Sequence, residues 1–355
     1  METWRPWSHS VNEMPLPQTQ KGYWIGLEGK EFRDVPVEEP EEGEILIRNV
    51  AVASNPKDWK LVHMFGWEGI QGNDVAGIVV AVGEGVTDFK VGDKVAAMTK
   101  LLHPKYGAYQ FYTIASADVA FHIPEGMSFE QAATIPLCYT SACMALFEKL
   151  FLPTPWDPIK PEEKFPIIIY GAVSSCGSFA VQLAKQAGLE VIGVVKSNEE
   201  LARQLGCDEV INCCNMSSEE ITSALLSALD GRSHLVTKAY DTIAEVETLT
   251  PLVDFFCSLP RNGAEDKIVA NLFTNVPAPD DGSLNILRMT VSTAYETGLT
   301  REWFDYIVKE NKIKPHRVEV IPGGLKGVEE GLRRLEHNEV DACKLVYRME
   351  ETGDI

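Results

Sequence analysis

The chain has 355 residues, 45% of them apolar and 24% charged, with a formal net charge of -20. That is enough chain for two globular domains, and the acid excess argues against nucleic acid and anionic membranes as partners, since both need clustered cations. No apolar run reaches the length of a membrane-spanning helix, the start METWRPWSHSVNEMPLPQTQ lacks the basic region and apolar core of a signal peptide, and the eight cysteines form no Cys-x-x-Cys pair, so a cytoplasmic, reducing setting is expected.

Residues 21–137 read as many short strands separated by turns. The strands are EILIRNVAVAS, DVAGIVVAVG, DKVAAMT and AYQFYTIASADVAFHI, and the turns include Gly83-Glu84-Gly85 and Val91-Gly92-Asp93-Lys94. The acid-rich stretch Glu28–Glu44 fits a solvated loop between strands or, alternatively, a docking surface for a basic partner. From Ser128 the period becomes helical, FEQAATIPLCYTSACMALFEKLF, with Pro136 interrupting it. A proline-rich loop follows.

Apolar runs and helices then alternate: run 166–170, helix 178–187, run 190–195, helix 199–205, run 209–212, helix 218–229, and further strand-like runs at 235–240 and 267–272. Strand–helix alternation implies a parallel sheet with right-handed crossovers. The expected class is therefore α/β, a Rossmann-type doubly wound nucleotide domain beside a β-rich domain. From Arg301 the chain returns to a helix, a strand at 318–321, a helix at 325–335 and a strand at 344–349, which should fold back onto the first domain. The expected division is 1–137, 138–300 and 301–355.

PIIIYGAVSSCGSFAVQLAKQAGLEVIGVVKSN is strand, turn, helix, strand, the context that a dinucleotide fingerprint requires. Gly171 and Gly177 remain of the expected glycines, and Ser174 and Ser175 stand between them. Glycines keep such a turn tight and bring backbone N–H groups to a pyrophosphate at the helix N-terminus; the serine hydroxyls can donate to phosphate. After the second strand, Lys196, Ser197 and Asn198 occupy the place where an acid usually meets a ribose 2′-OH. A lysine and two small polar residues suit a 2′-phosphate, so NADP is expected rather than NAD.

The stretch QGNDVAGIVVAVGEGVTDFKVGDKVAA (71–97) resembles the zinc alcohol dehydrogenase segment that begins Gly-His-Glu, but here it begins Gly72-Asn73-Asp74. No cysteine precedes Cys138. A catalytic zinc takes three Cys, His or carboxylate ligands and a structural zinc four, and neither set can be assembled, so no metal is expected. Hydride delivery to an activated C=C or a quinone then becomes a better expectation than alcohol oxidation.

Together with Asn55-Pro56-Lys57-Asp58-Trp59-Lys60, IPEGMSFEQAATIPLCYTSACMAL and the terminal GLKGVEEGLRRLEHNEVDACKLVYRM, these residues resemble the zinc-less branch of the medium-chain dehydrogenase/reductase superfamily, the quinone oxidoreductases and enoyl reductases. Within it the chain is most similar to the fungal ToxD-like trans-acting enoyl reductases of polyketide pathways. The resemblance implies a GroES-like catalytic domain, discontinuous in sequence, with the active site in the cleft beside the nucleotide domain. It implies NADPH contacts at Asn55, Pro56, Lys57 and Asp58, at Val173, Ser174, Ser175 and Cys176, at Lys196–Asn198, near Asn271 and Leu272, and near Asp341 and Ala342. Cys213 falls where the family commonly has a tyrosine. Substrate is implied along Leu137, Cys138, Ser141 and Met144, and along Thr290, Val291, Ser292, Thr293 and Ala294.

Conjugate reduction asks little of the protein: orientation, a donor for the carbonyl oxygen, and a proton for the α-carbon. Lys60 is the expected oxygen-side donor, to the enolate or to the nicotinamide ribose; the plainer reading is an exposed lysine. Tyr139 and Thr140 are alternatives, with Thr140 expected to bond the cofactor. Asp74 is read as a structural hydrogen-bonding residue, and Trp59 and Trp67 as pocket wall or plain core. The expected function is an NADPH-dependent reductase of α,β-unsaturated carbonyls, with a polyketide synthase or acyl-carrier protein as a possible partner and a monomer or homodimer as the assembly. The alternatives are a quinone or small-enone reductase and an NADPH-binding protein without turnover.

Overall fold

The structure, a computed structural model, describes residues 15–259, 266–271, 284–296, 300–310 and 312–354. The chain divides into two compact units, Met1–Leu137 with Ser292–Ile355, and Cys138–Val291.

The first unit is built on the strand Glu44–Ala53, an apolar, β-branched run buried along most of its length. It pairs antiparallel with Asp74–Val82, Tyr112–Ser116 and Lys344–Arg348. The sheet continues through Lys94–Met98 to Ala120–His122 on one side and ends in Val318–Val320, parallel to Lys344–Arg348, on the other. A smaller sheet joins Gly29–Pro36, Thr19–Gly26 and Gly69–Ile70. The inner faces form one apolar core that includes Ile45, Ile47, Val75, Val79, Tyr109 and Tyr347. The return segment thus places its strand Lys344–Arg348 directly against the central strand of the first 137 residues. AYQFYTIASADVAFHI is not one strand: a 3-10 turn at Ala117–Val119, capped by Ser116, divides it.

The second unit carries a six-stranded parallel sheet in the order Glu209–Asn212, Glu190–Val195, Pro166–Tyr170, Lys238–Asp241, Asp266–Asn271, Leu284–Met289. This is the strand order of a Rossmann-type domain, with the chain reversing direction across the sheet at Pro166–Tyr170. The strand Leu284–Met289 has no counterpart among the expected runs. The run expected at 235–240 begins instead with a 3-10 turn, Ser233–Leu235, and the strand starts at Lys238. Pro136 does not interrupt the preceding helix but opens its own, Pro136–Cys143, the place where a missing N–H costs least. The continuation Met144–Lys149 winds as a π-helix.

Asp241, fully buried at the end of its strand, accepts hydrogen bonds from Ile243 N, Ala244 N and the Thr248 hydroxyl. Burial raises its pKa to about 6, and those three bonds only partly oppose the shift. A carboxyl whose folded pKa lies above its unfolded value stabilises the fold while protonated and loses that contribution as pH rises from about 4 through about 6. Asp241→Asn should therefore raise stability near pH 7.5, by up to about 3 kcal/mol at 1.4 kcal/mol per pKa unit, and should flatten the pH dependence between 4 and 6. Urea denaturation of both proteins across that range checks it, and an unchanged slope would refute it.

Candidate functional site

Each unit carries one part of the machinery. In the second unit the turn between Tyr170 and the helix Ser175–Gln186 and the first turn of that helix each hold one position closed to a side chain. Gly171 has a φ of 74°, and a Cβ there would lie 2.5 Å from Thr242 Oγ1; a Cβ on Gly177 would lie 2.0 Å from the Gly171 carbonyl oxygen. Ser174 is the helix N-cap. Its hydroxyl accepts from Gly177 N at 3.0 Å and lies 2.8 Å from Thr242 Oγ1, so it holds the turn. The N–H groups of Ser175 and Cys176 open a twelve-residue helix, and such groups have no intrahelical partner. A turn that admits no Cβ at Gly171 or Gly177 and ends in helix N–H groups fits a pyrophosphate.

Lys196 is exposed at the end of the next strand, followed by half-buried Ser197 and Asn198. Asn198 adopts a left-handed φ of 58° as it enters the helix Glu199–Leu205. Cys213 is buried, and the Tyr170 hydroxyl lies 3.4 Å from its sulfur; the thiol is part of the apolar core. Asn271 ends its strand, and Leu272 lies outside the described residues.

In the first unit the segment Asn55–Lys60 is locked from several sides. Its helix, Lys57–Phe65, follows Pro56. Asn55 N donates to Asp58 Oδ2 at 2.8 Å, and Lys57 Nζ lies 2.5 Å from Asp58 Oδ1. The Tyr109 hydroxyl donates to Asp58 Oδ2 at 2.7 Å. Burial and the Asp58 charge keep the Tyr109 proton on. Because Tyr109 has one proton and gives it to Asp58, Ser54 must donate to Tyr109 at 2.9 Å, and Tyr347 must donate to Ser54 at 2.6 Å.

Below this chain lies Lys344, with 3% of its side chain exposed. Its ammonium is 2.5 Å from Asn55 Oδ1 and 3.0 Å from Asp74 Oδ2. Asp74 also accepts from Asn55 Nδ2 and from Leu137 N, each at 2.7 Å. Both ends of the Asn55 amide, the Lys57 ammonium and the Asp58 carboxylate are thus engaged within the protein. Of the segment's other side chains, Pro56 is exposed and Trp59 and Lys60 are half-buried. The Lys60 ammonium lies 5.6 Å from the Trp59 ring centre. Lys344 is absent from the residues expected from sequence, although a lysine opening the apolar run LVY is a signal that it must be paired.

Asn73 Nδ2 points at the carbonyls of Thr99 and Lys100 and at Thr99 Oγ1. An amide nitrogen so engaged is no metal ligand. Among the described residues no group of three His, Cys, Asp or Glu is arranged to hold an ion.

The remaining expected residues lie as follows. Leu137, Cys138, Tyr139, Thr140, Ser141 and Met144 are all buried. The Tyr139 ring meets Phe179 edge-on at 6.0 Å. Thr290 to Ala294 run from the end of the last parallel strand into a 3-10 turn, Val291–Glu296, with Val291 and Ala294 buried and Thr290, Ser292 and Thr293 half-buried. Asp341 is exposed, and Ala342 holds a left-handed φ of 47° two residues before Lys344.

Residues 41–125 match the alcohol dehydrogenase GroES-like domain family. The trans-enoyl reductase resD of Aspergillus sclerotiorum is 32% identical over 349 residues, covering 89% of this chain and 96% of that protein. The trans-enoyl reductase fsr4 of Gibberella fujikuroi is 30% identical, covering 83% and 88%. Among solved structures, a mycobacterial protein complexed with NADPH superposes with a TM-score of 0.73 at 21% identity, covering 93% of this chain and 99% of that one. No helix among the described residues is long and apolar enough to cross a membrane.

Breaking a buried ion pair by removing one partner typically costs about 3–5 kcal/mol, because the other charge stays buried. Lys344→Met should lose that much stability, and adding Asp74→Asn should restore part of it. Chemical denaturation of the single and double variants measures both. A Lys344→Met midpoint equal to that of the parent would contradict the assignment.

Proposed function

The chain belongs to the trans-enoyl reductase family of the medium-chain dehydrogenases and reductases, and from that premise we propose that it is an NADPH-dependent reductase adding hydride to the β-carbon of an α,β-unsaturated acyl group. Identity of 30% and 32% to two named trans-enoyl reductases, over 83% and 89% of the chain, is the observation that carries this reading. The glycine-lined phosphate turn supports it, because a nicotinamide cofactor needs such a cradle.

When bound, the cofactor supplies the hydride; the chain's own residues bind and orient. Gly171 to Gly177 receive the pyrophosphate. Lys196, Ser197 and Asn198 meet the 2′-phosphate. The backbone of Asn55–Asp58, held by Lys344, Asp74 and Tyr109, presents a rigid edge to the nicotinamide. Lys60 serves the nicotinamide ribose or the enolate oxygen. Leu137 to Met144, Tyr139 among them, and Thr290 to Ala294 are the residues we assign to the acyl chain. The acyl group is carried on a polyketide synthase or its carrier protein.

The cofactor choice is the part most easily tested. Removing one charged partner from a phosphate site costs about 1–3 kcal/mol, about tenfold or more in affinity. Lys196→Glu should weaken NADPH binding at least that much while leaving NADH binding nearly unchanged. Fluorescence titration with both cofactors decides it: a parent protein that binds NADH as tightly as NADPH would remove the 2′-phosphate site.

A further inference from the structure

Within the second unit, the strand Lys238–Asp241 runs beside Pro166–Tyr170, and the corner that follows it, residues 242–244, lies against the glycine turn. Thr242 N donates to the Tyr170 carbonyl at 3.1 Å. The Thr242 hydroxyl donates to the same carbonyl at 2.9 Å and to the Gly171 carbonyl at 3.2 Å. A Cβ on Gly171 would meet Thr242 Oγ1 at 2.5 Å and Ile243 Cγ1 at 2.8 Å. The corner thus meets the turn both through hydrogen bonds and through close contact.

Carbonyl oxygens only accept, so the one proton of the Thr242 hydroxyl goes to Tyr170 and Gly171. In the 2.8 Å contact between Ser174 Oγ and Thr242 Oγ1 the serine is therefore the donor. Ser174 Oγ in turn accepts from Gly177 N at 3.0 Å. One directed chain results: Gly177 N–H to Ser174, Ser174 to Thr242, Thr242 to two carbonyls. It crosses the turn from the start of the helix to the end of the strand.

The corner is itself braced. Asp241 accepts from Ile243 N and Ala244 N, each at 3.0 Å, and from the Thr248 hydroxyl at 2.7 Å. Buried Ala244 holds a left-handed φ of 59°. That conformation is costly for a residue with a Cβ and persists only where its surroundings dictate it. The bend it makes carries Thr242 and Ile243 to Gly171.

We propose that Thr242 is a positioning residue for the pyrophosphate of the cofactor. This rests on the nicotinamide-cofactor reading and deepens it. A phosphate oxygen is bound by N–H groups and repelled by carbonyl lone pairs. Thr242 keeps the Tyr170 and Gly171 carbonyls turned to its own side, so the turn meets the anion with the N–H groups that open the helix Ser175–Gln186. Thr242 itself touches no phosphate; it acts through Gly171 and Ser174.

The test uses the full chain with two ligands, NADPH and adenosine 2′-monophosphate, which has no pyrophosphate. Thr242→Val keeps the shape of the side chain and removes the hydroxyl. Its NADPH dissociation constant should rise about tenfold, the scale of a hydrogen-bond loss at a charged ligand's site. Its binding of adenosine 2′-monophosphate, measured by competition, should stay as in the parent. Thr242→Ser keeps the hydroxyl and should bind NADPH as the parent does. Should the valine protein not fold, Ser174→Ala breaks the same chain at its other end and is read with the same two ligands. The double variant should bind NADPH no more weakly than the weaker single one, because both substitutions interrupt one chain. Unchanged NADPH affinity in Thr242→Val, or a serine variant as weak as the valine one, would overturn the assignment alone. So would equal losses for the two ligands, which mark a general loosening of the unit. A parent protein that binds neither NADPH nor NADH would overturn the cofactor reading, and the role of Thr242 with it.

Discussion

The Lys344 ammonium, buried between Asn55 and Asp74, is the interaction on which the first unit depends. A lone charge in that position would be untenable; a charge shared between a carboxylate and an amide oxygen is a three-way fastener. It ties the last strand of the chain to the turn before the helix Lys57–Phe65 and to the start of the strand Asp74–Val82. Asp74 extends the fastening to Leu137 N, where the first 137 residues end their run in this unit. Residues separated by nearly 290 positions are thus held at hydrogen-bond distance. The Tyr347, Ser54, Tyr109 and Asp58 chain of hydroxyls runs alongside, so the return segment grips the same loop twice.

In the proposed reading that rigidity has a chemical use. A reductase whose cofactor carries the hydride contributes mainly placement, and placement demands groups that do not move. Fixing Asn55 at both ends of its amide makes it a structural element rather than a flexible ligand-binding side chain, and Lys57 and Asp58 are engaged in the same way. The glycine turn of the second unit is fixed by different means. Gly171 and Gly177 are there because a Cβ would strike backbone or Thr242, and Ser174 holds the turn with its hydroxyl.

The parallel domain was largely legible because strand and helix periods alternate cleanly: the runs 190–195, 199–205 and 209–212 coincide with the observed elements. The glycines of the phosphate turn were legible for a steric reason that only glycine satisfies. What was not legible depends on distant neighbours. The contact that steadies Ser174 was not legible, since its partner Thr242 is 68 residues away. Lys344 reads locally as a strand-end lysine, and only the folded chain brings Asn55 and Asp74 to it. The change from α to π winding at Met144 left no mark in the sequence because residues 132–146 are buried on every side.

The central claim is reduction at the β-carbon of an unsaturated acyl group, and isotope transfer tests it most directly. NADPH carrying deuterium at the transferable C4 position should yield a saturated thioester with one deuterium on the β-carbon, while the α-carbon takes its hydrogen from solvent. Magnetic resonance and mass analysis of the product locate the label. A saturated product without deuterium at the β-carbon, or cofactor consumption seen only with quinones, would contradict the account.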